Sequence, residues 1–199
     1  MAQPASAAVP TRPTRGQRLV GRVVRQYERA PAATVGGTFL MFWASLAVLV
    51  GPLVAAGVAA IVLCHELGHW AAFRRLRIWA SAPIFLPLIG ACVITKARAR
   101  SRQGFAWAVL AGPMSGLAAV AATLVLADAL DSPLVRSWAV IGAIINVVNL
   151  LPIPGLDGGT IGRAVVRRRR GRWTLAAFWL ATAFATNLLL NHALPTPTG

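Results

Sequence analysis

The residues best equipped for chemistry stand together as His65-Glu66-Leu67-Gly68-His69. On a helix, positions i and i+4 share a face, so His65 and His69 can offer two imidazoles to one metal ion. Glu66 follows the first imidazole and is placed to act on a water at that metal instead of binding it. Two of the chain's three histidines and one of its two glutamates fall within these five residues. They do so inside an apolar stretch, where ionisable groups are costly and mark functional sites. Cys64 adjoins His65 but sits about 100° around the helix, so it is not counted as a ligand.

The elements that must position this pair follow from the distribution of charge. The chain of 199 residues is 57% hydrophobic and 13% charged, yet carries a formal net charge of +15. That composition excludes an ordinary soluble domain, where about a quarter of residues are charged, and it excludes disorder. Two cysteines, Cys64 and Cys92, exclude a disulfide scaffold. No charge occurs over 30–64, 104–127, 137–156 or 173–199, and a membrane span needs about 20 mainly apolar residues. The first stretch is too long for one span and holds Gly51-Pro52, a helix-breaking pair. The reading is an all-α polytopic membrane protein of about five transmembrane helices, near 34–50, 53–73, 104–127, 134–153 and 173–193.

The basic residues support that layout. With the N-terminus inside and five crossings, the arginines of 1–30, the basic group of 74–103 and the arginines of 163–172 all fall on the cytoplasmic side. That is nineteen of the twenty Lys and Arg, a strong positive-inside pattern. Arg136 alone lies outside, beside Asp128 and Asp131. The three-way division of the arginines, all at one face, speaks against nucleic-acid binding. Within the tail, Leu19, Val20, Val23, Val24 and Tyr27 recur at helical spacing among arginines, as in a basic amphipathic helix on the inner membrane surface or a basic tail held near anionic lipid. The segment near 80–95 has Pro83, Pro87 and Gly90 and both ends on the cytoplasmic side. It reads as a re-entrant loop or short strand pair, with Ile84-Phe85-Leu86 and Cys92-Val93-Ile94 as strand-compatible runs.

A catalytic zinc site normally has three protein ligands and one open position. The remaining acids are Glu28, Asp128, Asp131 and Asp157. Asp128 and Asp131 lie at the opposite membrane face, about 30 Å away, and Glu28 lies on the tail. Asp157, six residues from Arg163 on the cytoplasmic side, is the third-ligand candidate. Pro152 and Pro154 must break the helix before it, and Gly158-Gly159 open backbone conformations closed to other residues.

His65-Glu66-Leu67-Gly68-His69 on one span, with Asn149-Leu-Leu-Pro-Ile-Pro-Gly-Leu-Asp157-Gly158 on a later one, resembles the site-2 protease family (M50-type intramembrane zinc metalloproteases). That family pairs HExxH with N-x-x-P-x-P-x-L-D-G, and the resemblance runs from about Ala30 to Arg170. It implies one Zn2+ per chain held by His65, His69 and Asp157, with Glu66 as the catalytic base and Asn149 as a substrate-carbonyl contact. Asn146, one turn earlier, is a weaker substrate candidate; for both asparagines interhelical hydrogen bonding is the other reading. Ala111-Gly112-Pro113 resembles the family's A-G-P segment. Ser115 stands near where many relatives carry Asn, and Gly112 and Gly116 form a small-x-x-x-small face suited to close helix packing. His192 is read as an interface residue, and Asn187 and Asn191 receive no role.

The resemblance implies an intramembrane metalloendopeptidase that cuts transmembrane or membrane-anchored proteins near the cytosolic face. The expected organisation is a basic cytoplasmic tail (1–30), a membrane-embedded core (31–194) and a short C-terminal tail (195–199), in the lipid bilayer of the cell membrane with an external C-terminus. The length leaves no room for a PDZ or CBS domain. The alternative is a metal-binding membrane protein without protease activity, in transport or assembly. Transport would call for charges along a pathway, which the fourth and fifth expected spans lack.

Overall fold

A computed structural model describes residues 31–95 and 101–165, together with Arg22. Five helices and one hairpin follow in chain order: α1 (Pro31–Val50), α2 (Pro52–Arg75), β1 (Ile84–Leu86), β2 (Gly90–Cys92), α3 (Arg102–Ala129), α4 (Pro133–Asn149) and α5 (Asp157–Val165). Three of them, α1, α2 and α3, are long and apolar enough to cross a membrane, and α4 is a shorter apolar helix of 17 residues. The expected fifth span, near 173–193, and the N-terminal tail apart from Arg22 lie outside the described residues.

Local chemistry sets the helix boundaries. Gly51 takes φ of +83°, a conformation that favours glycine, and Pro52 follows as the first residue of α2. A single residue therefore separates two spans, as the Gly-Pro pair predicts. Ser101 caps α3, its hydroxyl accepting from the Gly104 N–H at 2.9 Å, and Ser132 caps α4 through the Val135 N–H at 3.4 Å. Arg74 and Arg75 close α2, where cations complement the helix dipole. At the α3–α4 junction Arg136 forms an ion pair with Asp128 at 2.7 Å. Two of the three charges assigned to the far face are thus paired.

Helix α4 ends at Asn149, four residues short of the expected 153. Pro152 disfavours helical geometry in the residue before it, so the chain leaves the helix at Leu150 and crosses to Asp157 through a run of tight turns. Gly155 takes the positive φ (+103°) in this loop. Gly158 and Gly159 do not take positive φ, contrary to expectation. They lie inside α5, where a Cβ on Gly158 would strike the carbonyl of Leu150 and one on Gly159 that of Ile153. Their value is close approach, which seats α5 against the loop and fixes Asp157 at its start.

The segment 80–95 forms an antiparallel strand pair, with Ile84 opposite Cys92, Phe85 opposite Ala91 and Leu86 opposite Gly90. The second strand begins two residues earlier than its β-branched residues suggested, because Gly90 (φ +134°) turns the chain. Further from the tip, Ala80 bridges Thr95, and the Ser81 N–H donates to the Ile94 carbonyl at 2.8 Å. Phe85 is buried between Phe39 and Phe42 of α1, with ring centroids 5.1 and 5.7 Å away. The Leu88 N–H at the tip donates to the Ser45 hydroxyl at 3.2 Å. Ser45 is 14 residues into α1, about 21 Å along its axis, so the hairpin lies along α1 and its tip sits well away from the start of that helix.

Helix α2 lies at the centre. It packs on α1, α3, α4 and the second strand, and half of its apolar window is buried against 6% for α1. Close approach depends on small residues: a Cβ on Gly57 would strike the Trp138 indole of α4, and one on Gly68 the Ser115 hydroxyl and Ala111 carbonyl of α3. The helix that carries the histidine pair is thus enclosed by the rest of the bundle.

Candidate metal centre

His65 and His69 project from one face of α2, and both are buried. Helix α5 brings Asp157 to them across 88 and 92 residues of sequence. The Asp157 Oδ2 atom lies 3.0 Å from His65 Nε2 and 3.2 Å from His69 Nε2, and the two Nε2 atoms are 3.1 Å apart. Among the described residues this is the one group of histidine, cysteine and acidic side chains so placed that it could hold a metal ion. Cys64, whose side chain is exposed, is not part of it.

The far nitrogens of both rings are held. The Asn146 amide nitrogen donates to the Gly142 carbonyl at 2.8 Å, which leaves its Oδ1 as an acceptor facing His65 Nδ1 at 2.8 Å. His69 Nδ1 faces the Ala108 carbonyl at 3.3 Å. A carbonyl oxygen can only accept, so each Nδ1 carries a proton and each neutral ring turns an Nε2 lone pair to Asp157. Three acceptors within 3.2 Å of one another repel unless a cation lies among them. Tetrahedral zinc with N and O ligands at about 2.0–2.1 Å spaces them about 3.3–3.4 Å apart, close to the spacing found. The donor set therefore fits zinc. Burial raises the Asp157 carboxyl, but hydrogen bonds from His65 and His69 outweigh it and hold the group below its ordinary value.

Glu66 is buried beside this cluster at 5% exposure, and its Oε2 has no hydrogen-bond partner among the described residues. A buried carboxylate oxygen without a partner is costly and marks a position prepared for a water or substrate. The second strand of the hairpin runs alongside: burial, and then the negative charge of Glu66, push the Cys92 thiol above its ordinary value.

The family model for peptidase family M50 matches residues 126–190. The match covers about a third of the chain. The matched segment contains α4, the turn after it and Asp157, while the HExxH residues lie upstream on α2, outside the match. No curated protein matches the sequence. The matched segment is thus similar to a peptidase family, and the chain carries apolar, membrane-sized helices.

Other residues singled out in the sequence find different places. Asn149 ends α4 half-buried. Asn146 bonds between helices and is tied to His65, a connection that spacing could not reveal. An amide at 1% exposure in an apolar helix must have a polar partner, and its burial was the only signal available. Ser115 donates to the carbonyls of Cys64 and Gly112, each at 2.9 Å, and so stitches α3 to α2. Gly112 and Gly116 do more than allow general packing. A Cβ on Gly112 would fall on the His69 imidazole, and one on Gly116 on the Asn146 amide. The carbonyl of Ala108 had no sequence signal. His192, Asn187 and Asn191 lie outside the described residues.

Proposed function

We propose that the chain is an intramembrane metalloendopeptidase that hydrolyses peptide bonds of transmembrane or membrane-anchored proteins near the cytosolic face. The observation that carries this reading is the convergence of His65, His69 and Asp157 beside a buried Glu66 carboxylate with a free oxygen. The match of residues 126–190 to the M50 family model supports it. Zinc held by the three side chains would supply a Lewis acid that polarises a carbonyl and eases the ionisation of water. Glu66 takes the proton of the attacking water and returns it to the leaving amine. Asn146 and the Ala108 carbonyl keep the two imidazoles turned toward the ion. Asn149, at the end of α4, is the proposed contact for the substrate carbonyl.

A helical substrate hides its carbonyls in hydrogen bonds and must unwind before attack. The hairpin, whose second strand runs beside Glu66, would hold the unwound segment extended by strand addition. The proposed setting is the cell membrane, with the N-terminus cytoplasmic and the C-terminus external. Glu66→Gln should retain zinc and lose cleavage of a co-expressed single-span substrate, read by immunoblot. Cleavage at the wild-type rate by that variant would refute the proteolytic reading.

A further inference from the structure

Resting on the metal-centre reading above, we infer that Asn146 is a positioning residue for the metal site: it selects the face that His65 turns to the ion. Imidazole can bind a metal through either nitrogen, and the bond made by the other nitrogen decides which. Here the choice is imposed in three steps that begin away from the site. The Gly142 carbonyl, one turn earlier on α4, accepts from the Asn146 Nδ2 at 2.8 Å and fixes the amide's orientation. The amide therefore presents Oδ1, not NH2, to His65 Nδ1 at 2.8 Å. His65 must then carry its proton on Nδ1, with the Nε2 lone pair facing His69 and Asp157.

The surroundings are shaped for this amide. Asn146 is 1% exposed, and a Cβ on Gly116 of α3 would occupy the space its side chain fills. An amide serving only as glue between helices could bond any backbone group of α2. This one reaches the side-chain nitrogen of a proposed metal ligand. An imidazole whose Nδ1–H is engaged is also a more basic ligand through Nε2.

The test uses the full chain purified in detergent, with zinc affinity measured by competition with a chromophoric chelator. Asn146→Leu removes the acceptor and should weaken zinc binding roughly 10–100-fold, the usual cost of losing an outer partner of a histidine ligand. Asn146→Asp keeps an acceptor toward His65 and should bind zinc within a few-fold of wild type. Zinc-loaded wild type labelled with 15N-histidine should show zinc on Nε2 of His65 and the proton on Nδ1; this needs no variant and holds whether or not the leucine protein folds. Wild-type affinity in Asn146→Leu, equal losses in the leucine and aspartate variants, or zinc on Nδ1 would each overturn the inference. A wild-type protein that takes up no zinc would overturn the metal centre itself and this inference with it, an outcome distinct from the other three.

Discussion

Gly112→Ala is a change of one methyl group on a helix that contributes no side-chain ligand, and it should dismantle the site. The added Cβ would fall on the His69 ring, overlapping its Nε2, Cε1 and Cδ2 atoms. The ring has little freedom to retreat: Nδ1 is bonded to the Ala108 carbonyl on one side, and Nε2 meets His65 and Asp157 on the other. Relieving the overlap requires a displacement of roughly 1 Å, of the size known to cost about 100-fold in a catalytic geometry. Metal–ligand distances tolerate only about 0.2 Å. Zinc affinity should therefore fall by at least the ~10–100-fold associated with a lost outer partner, whereas stability should fall only by the ~1–3 kcal/mol typical of overpacking. Chelator competition and thermal unfolding of the metal-free protein measure the two separately. Gly37→Ala is the control, because a Cβ at Gly37 meets nothing within 4 Å; zinc affinity should stay unchanged there, with at most a gain of about 0.5–1 kcal/mol from helix propensity. If Gly112→Ala bound zinc like wild type, or behaved like Gly37→Ala, the placement of His69 against α3 would be wrong.

Two further outcomes follow from the site. Asp157→Asn keeps size and shape but removes the one anionic ligand, so zinc affinity should fall by more than the roughly 10–100-fold cost of an outer-shell change; equilibrium dialysis against zinc checks it, and wild-type occupancy would remove Asp157 from the ligand set. Ala91→Pro takes an N–H from the second strand without touching a ligand. Cleavage of a single-span substrate should collapse while zinc content stays at the wild-type level, and intact cleavage would refute strand addition.

The three membrane-sized helices were legible because the gaps between charges are long and lipid-sized. HExxH was legible because i and i+4 face the same way on any helix. Asp157 was singled out by elimination, since the expected topology left one acid on the same face as the histidines. The rest depended on contacts between distant segments. Nothing local says that Asn146 meets His65 across 81 residues, or that the Ala108 carbonyl braces His69. The premature end of α4 was hidden because 150–153 is as apolar as the helix before it; only the effect of Pro152 on its predecessor betrays the stop. For Gly158 and Gly159, sequence showed that glycine was used but not why. Close approach and positive φ leave the same letter in the chain, and only the carbonyls of Leu150 and Ile153 separate the two.

The polar atoms of the site also account for its burial in an apolar bundle. An unbonded polar group is expensive in lipid, so a chain with five acids and three histidines has reason to satisfy each buried group. Around the ligands it does: Asn146 uses its NH2 on Gly142 and its oxygen on His65, and His69 uses its Nδ1 on Ala108. What remains is two Nε2 lone pairs, the Asp157 oxygen that faces them, and the Glu66 Oε2 without a partner. Around the histidine pair every residual group is an acceptor, whereas the other buried side-chain atom without a partner among the described residues, the Trp138 indole N–H on α4, is a donor. A cluster meant only to tie helices together would pair acceptors with donors, as Ser115 does with the carbonyls of α2 and α3. A surplus of acceptors at one point suits a cation, and His65, His69 and Asp157 are the group that could hold one.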